Sequence, residues 1–164
     1  MEIERKWLVN GWPTGLHMLF ELHMRQGYLC VSPTVRIREE ADPLGDTEHI
    51  LCFKTGKGIV RNEVEFPIER KHFEEIEKMI GLPLIPKLRR TYQLGDGLRL
   101  EVSHVDEGRP TEFWYAEIEF PTEEAARSFS PEAAGLGGYL VKDVSEEPGQ
   151  TMGAFWVKTR LSEW

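Results

Sequence analysis

Met1-Glu2-Ile3-Glu4-Arg5-Lys6-Trp7 opens the chain, and its alternation decides the fold. In a strand, successive side chains point to opposite faces, so Glu2, Glu4 and Lys6 share one face and Ile3, Arg5 and Trp7 the other. Carboxylates two residues apart along a strand sit roughly 6.5 to 7 Å from each other. At an effective dielectric near 20 they repel by about 2.4 kcal/mol. A fold tolerates that on a well-solvated face, or where something positive sits between them. A hard divalent cation such as Mg²⁺ is the natural partner, because it prefers carboxylate oxygens.

The same alternation recurs along the chain. Val35-Arg36-Ile37-Arg38 sets two guanidinium groups on one face, and Ile50 to Lys54 ends in a lysine opposite Leu51 and Phe53. Asn62-Glu63-Val64-Glu65-Phe66 and Tyr115-Ala116-Glu117-Ile118-Glu119-Phe120 repeat Glu-x-Glu. Lys87-Leu88-Arg89 is a basic pair, and Leu98 to Val102 places Arg99 and Glu101 opposite aliphatic side chains. Each is a period-2 strand with a charged polar face. Taken singly, each reads as the wet face of an antiparallel sheet. Seven together do not, because cross-strand pairing gives no reason to choose like charges two residues apart. A closed barrel with a charged interior, its apolar outer faces covered by helices, accounts for the whole set.

At 164 residues the chain reads as one domain over 1–164, large enough to bury about 70% of its unfolded surface. A net charge of −8 and a pI near 5.2 argue against nucleic acid or an anionic membrane as partner. The sequence shows neither a spanning apolar run nor a signal peptide, so a cytoplasmic location is expected. Cys30 and Cys52 are too few for a disulfide framework, and Cys52 is placed to face inward beside Lys54. The five histidines lack metal-ligand spacing.

Three stretches read as helix. These are His72–Ile80, ended by Gly81 and Pro83, Thr122–Phe129 with a threonine N-cap, and an amphipathic tail over Gln150–Trp164 that packs outside the barrel. Pro13–Leu22 is open between a short helix and a turn. Gly56-Lys57-Gly58 lacks the length and following helix of a phosphate loop and reads as a hairpin turn.

Glu2-x-Glu4-x-Lys6, Arg36-x-Arg38, Glu63-x-Glu65 and Glu117-x-Glu119, in that order over residues 1 to about 144, resemble the CYTH superfamily, the triphosphate tunnel metalloenzymes. Arg25-Gln26-Gly27-Tyr28-Leu29 is similar to a segment of its small bacterial members, among them tripolyphosphatases. The resemblance implies an α+β fold: a closed eight-stranded antiparallel β-barrel with helices outside, holding Mg²⁺ or Mn²⁺ and hydrolysing a triphosphate. It further implies that Glu2, Glu4, Glu117 and Glu119 hold the catalytic metal, with Glu63 and Glu65 arranging a second metal or the water. Glu101, where an aspartate is common, joins the acidic set. Lys6, Arg36, Arg38, Lys54, Lys87 and Arg89 would hold the phosphates, whose roughly four to five negative charges call for such a set. Lys6 and Tyr28 are the expected catalytic pair, although Tyr28 serves equally as a packing residue at the barrel mouth. Arg99 is open between lining the tunnel and pairing with Glu101.

The chain departs from the family at Gln150-Thr151-Met152, where similar proteins run Tyr-Lys-Asn. Should that segment supply cations at one mouth, substrate length or affinity would differ, with Lys142 as the available substitute. Inorganic tripolyphosphate leads over thiamine triphosphate and nucleoside triphosphates, because no base-recognition set is visible. The alternatives are a class IV adenylyl cyclase, a non-catalytic triphosphate or polyphosphate sensor, and an interaction domain with wet strands. Both a monomer and a homodimer, with Trp156 and Trp164 as a contact, are compatible with the sequence.

Overall fold

The computed structural model describes residues 1–162; Trp164 lies outside them. Eight strands form the barrel: β1 (Glu2–Leu8), β2 (Met18–Val31), β3 (Thr34–Ala41), β4 (Thr47–Lys57), β5 (Val60–Pro67), β6 (Ile85–Gln93), β7 (Arg99–Val105) and β8 (Phe113–Glu119). They pair in the order β5-β4-β3-β2-β6-β7-β8-β1, every pair antiparallel, and β1 returns to β5. Closure rests on Glu2 opposite Arg61 and Ile3 opposite Val60. From Glu4 onward β1 pairs with β8, and Trp7 and Leu8 add the two-residue β9 (Lys142–Asp143). Closing the sheet satisfies edge strands that would otherwise be exposed to other chains.

The apolar faces look outward. Trp7, Leu100, Val102, Ala116 and Ile118 pack into one buried cluster. Arg5, on the same outward face, binds Asp143 at 2.7 Å and donates to the carbonyls of Ala126 and Phe129. It thereby ties β9 and the end of α2 (Glu123–Ser128) to β1. Thr122 caps α2, its hydroxyl accepting from the Ala125 amide. Helix α1 (Arg70–Ile80) covers β2 to β4 through fully buried Phe73, whose ring lies 4.8 Å from that of His49. Gly81 ends it at φ 68°, a conformation that favours glycine.

Gly27 marks the closest approach between barrel and covering layer. A Cβ there would meet Leu84 Cδ2 at 2.4 Å, Ile80 at 3.3 Å and Trp156 at 3.5 Å. Gly27→Ala is therefore expected to cost about 1–2 kcal/mol through overpacking. Chemical denaturation should show a lowered midpoint with unchanged slope; an unshifted midpoint would mean the layer gives way freely.

Several expectations need correction. Met18–Leu22 is neither helix nor turn but the start of the 14-residue β2, stabilised by pairing with β6 from Tyr92 to Arg89. The tail is a short α3 (Met152–Trp156) running into a π-helical turn (Val157–Leu161). It does not pack purely outside, since Met152 and Gly153 line the interior cavity. Nor do helices cover the whole outer face. On β4 and β5, Phe53, Val64 and Phe66 are 41%, 62% and 44% exposed. Among the described residues, no helix is long and apolar enough to cross a membrane.

Candidate active site

All eight barrel strands contribute side chains to one interior cavity of about 470 Å³. Every expected site residue lines it: Glu2, Glu4 and Lys6 from β1, Tyr28 from β2, Arg36 and Arg38 from β3, Lys54 from β4, Glu63 and Glu65 from β5, Lys87 and Arg89 from β6, Glu101 from β7, Glu117 and Glu119 from β8. Arg61 and Tyr115 also line it. Glu40 enters through its contacts, 3.3 Å from Arg38 and 4.0 Å from Arg89. These three continue the same strand faces, so extending the i, i+2 count from Glu63, Glu117 and Arg38 would have found them.

The acidic wall is built against electrostatic preference. Glu4 stands opposite Glu119 across β1 and β8, and Glu101 opposite Glu117 across β7 and β8. Like charges directly opposite destabilise a sheet. Burial, with Glu117 and Glu2 nearby, pushes the Glu4 carboxyl well above its ordinary range. Burial opposes the Glu117 charge too, but a hydrogen bond with Glu4 and the ammonium groups of Lys6 and Lys87 hold its pKa down. Of the two, Glu4 is the carboxyl biased to hold a proton and Glu117 the one biased to stay charged. Burial also raises Glu2, against the pull of Lys54 2.9 Å away. This all-oxygen, charge-frustrated set fits a hard divalent cation. The groups are not all drawn to coordination distance. Among the described residues, the only three candidate ligands with donor atoms mutually within 4.8 Å are Cys52, Glu63 and Glu65.

The basic wall has its own pattern. Arg89 lies 3.2 Å from Glu101, so it, not Arg99, is the partner of that carboxylate. Arg99 is exposed and stands at an adjoining opening that shares Glu101 and Glu119 with the main cavity, whose own lining does not include it. Lys87 donates to the Tyr115 hydroxyl at 2.8 Å. Burial, reinforced by Arg89 and Arg38, pushes Lys87 well below the usual lysine range. Burial, then Glu117, raises Tyr115 well above the usual phenol range, so it stays protonated. Lys6, also lowered by burial, sits 4.2 Å from the Tyr115 ring centre and donates to the Gln150 carbonyl. Tyr28 is buried, accepts from Gln26 at 2.8 Å, and packs on Trp156 at 5.7 Å. The structure thus places two lysines at Tyr115, a residue that carried no role in the sequence reading.

Residues from Val144 to Gly153 close part of one side of the cavity. They bring Glu146 and Glu147 and no lysine or arginine, so the divergent segment does not supply cations there. Lys142 is exposed on β9, outside the cavity lining, and does not compensate. His49 and His104 are engaged by Glu39 at 2.9 Å and Glu112 at 2.7 Å.

No family model matches the chain. An inorganic triphosphatase of Nitrosomonas europaea is 34% identical over 137 residues, 79% of this chain and 83% of that protein. A solved inorganic triphosphatase structure is 28% identical with a TM-score of 0.60, over 94% of this chain and 93% of that one. A putative adenylyl cyclase from Hippeastrum, described as having a dominant triphosphatase activity, shares the fold at 17% identity. Its TM-score is 0.60, over 96% of this chain and 94% of that one.

Proposed function

This chain belongs to the CYTH superfamily, the triphosphate tunnel metalloenzymes, and we propose on that footing that it is a metal-dependent triphosphatase acting on inorganic tripolyphosphate. The observation that carries the reading is the divided cavity: facing acidic side chains on β1, β7 and β8 and clustered cations on β3, β4 and β6. Lys6, Arg36, Arg38, Lys54, Lys87 and Arg89 bind and align the phosphoryl groups. Phosphoryl transfer asks mainly for such positioning and charge neutralisation. Glu2, Glu4, Glu117 and Glu119, supported by Glu63, Glu65 and Glu101, are the residues that would hold Mg²⁺ or Mn²⁺. When bound, the cation neutralises charge on the transferring phosphoryl oxygens.

Water activation needs a base within the basic wall. Lys87, with its lowered pKa and its hydrogen bond to a protonated Tyr115, is the group best suited to take the proton. One O–H proton passes to Lys87 Nζ, the water oxygen bonds to phosphorus, and the bridging P–O bond breaks, leaving phosphate and pyrophosphate. Lys6 anchors one phosphate from beside Tyr115, and Tyr28 shapes the wall there. A small soluble cytoplasmic enzyme, with no nucleic acid or membrane as partner, is the setting proposed with it, in keeping with the triphosphatase relative and the net charge of −8.

The test is phosphate release from tripolyphosphate, thiamine triphosphate and ATP, each with Mg²⁺, Mn²⁺ or EDTA. Release is expected to be fastest from tripolyphosphate and lost with EDTA. Cyclic AMP with pyrophosphate from ATP would instead identify a cyclase. Stoichiometric binding without release would identify a sensor.

A further inference from the structure

Cys52 is an unusual neighbour for a site otherwise built from oxygen and nitrogen donors. It stands on β4, 1% exposed, between Arg36 on β3 and Glu65 on β5 in the cross-strand register. Its sulfur lies 3.9 Å from a Glu63 carboxylate oxygen, and the ligand atoms of Cys52, Glu63 and Glu65 are mutually within 4.8 Å. We propose that these three side chains form a site for a thiophilic divalent cation, Zn²⁺ or Cd²⁺, and that its occupancy blocks turnover. The blocking half rests on the cavity being the site of hydrolysis; the binding half does not.

The geometry needs little adjustment. Bonds of about 2.3 Å to sulfur and about 2.0–2.2 Å to oxygen place tetrahedral donors roughly 3.3–3.7 Å apart. From mutual separations within 4.8 Å, the three atoms must therefore close by at most about 1.5 Å to reach tetrahedral spacing, within the reach of glutamate rotamers. Two cations now hold the carboxylates: Lys54 is 3.3 Å from Glu63 and Arg38 is 4.0 Å from Glu65. Each has a second partner to fall back on, Glu2 at 2.9 Å for Lys54 and Glu40 at 3.3 Å for Arg38. Binding expels the thiol proton to solvent as the sulfur–metal bond forms. Mg²⁺ has little use for the sulfur, whereas thiolate selects softer ions. Glu63 and Glu65 both line the cavity, so an ion held by them and Cys52 would draw these carboxylates out of their present contacts there and take the place of phosphate-binding contacts.

The experiment titrates metal-stripped protein with Cd²⁺ and reads the ultraviolet charge-transfer band of a cadmium–thiolate bond. Wild type and Cys30→Ser should saturate at one equivalent. Cys52→Ser should lose the band, and its Cd²⁺ affinity should fall by at least about 100-fold, more than loss of a supporting contact costs. Glu63→Gln and Glu65→Gln should retain a weakened band. Thermal melts in EDTA establish that each variant is folded. A band that persists in Cys52→Ser, or carboxylate variants that bind as tightly as wild type, would overturn the site. In parallel, Zn²⁺ is titrated into Mg²⁺-supported phosphate release, each protein against its own Zn²⁺-free rate. Inhibition should be at least about 10-fold less sensitive in Cys52→Ser; equal inhibition would overturn the block. If no protein releases phosphate while the cadmium band behaves as stated, the hydrolase reading fails and the metal site stands.

Discussion

Glu4→Gln is expected to remove phosphate release by at least about 100-fold while leaving the barrel folded. The magnitude follows from the donor set: loss of a contact that merely supports a metal ligand already costs about 10- to 100-fold, and Glu4 is proposed to bind directly. The substitution is clean because the introduced amide can do what protonated Glu4 does in the metal-free protein, donate a hydrogen bond to Glu117. Stability in EDTA separates the two roles. Glu4 has a raised pKa in the folded state, so its contribution is fully present below the ordinary value of 4.5. It is lost as pH rises through the raised one. Metal-free wild type should therefore lose stability across that interval, and Glu4→Gln should lose less, because only the raised Glu2 and Glu119 carboxyls remain to do so. Adding Mg²⁺ should raise the melting temperature of wild type, increasingly so at higher pH as proton and metal compete, and do little for the variant. A variant that melts early in EDTA, or that keeps Mg²⁺-dependent release, would remove Glu4 from the metal set.

The reach and limits of the sequence reading have a common physical basis. A charged strand face with period 2 is a local signal, and Glu2, Glu4, Glu63, Glu65, Glu117 and Glu119 were legible because their apolar neighbours alternate with them. Arg61, Glu40 and Tyr115 obey the same rule; counting stopped at the charged pairs, one step short of each. Tyr115 was hidden further by chemistry, since aromatic residues are ordinarily assigned to a core. The first half of β2 gave no clean alternation. Met18 and Phe20 remain 43% and 42% exposed, and pairing with β6 supplies what the local pattern lacks. The lining from Val144 to Gly153 was not legible at all. It reaches the cavity by tertiary docking of turns and a five-residue helix, none of which has a period to read. Uncovered Phe53, Val64 and Phe66 show the converse. Alternation says which side chains share a face, not whether anything covers that face.

Arg160→Ala is expected to cost about 3–5 kcal/mol, the penalty for leaving a buried charge without its partner. Arg160 and Asp106 are 4% and 0% exposed and form a two-pronged pair, with contacts of 2.7 and 2.9 Å. Arg160 also donates to the Pro83 carbonyl, and Thr111 donates to Asp106 at 2.7 Å. One guanidinium thus joins the π-helical turn of the tail to the segment before β6 and to the loop after β7. For a chain of this size the melting temperature should fall by roughly 10 °C. Asp106 supplies the pH signature. Burial opposes its charge, but Arg160 and Thr111 hold its pKa below the ordinary 3.8. Its contribution is present above that value and lost as pH falls through the depressed one. The difference between wild type and Arg160→Ala should therefore shrink in acid. Asp106→Asn should cost less than Arg160→Ala, because arginine retains the Pro83 carbonyl and no bare carboxylate remains. The double variant Asp106→Ala with Arg160→Ala should recover part of the single loss, as expected when two effects share one interaction. Since the same tail carries Met152 and Gly153 to the cavity and Trp156 to Tyr28, the loosened variant should also bind tripolyphosphate more weakly at temperatures where it is still folded. Strict additivity in the double variant would show that the pair is not coupled and that the tail is held by Trp156 and its neighbours alone.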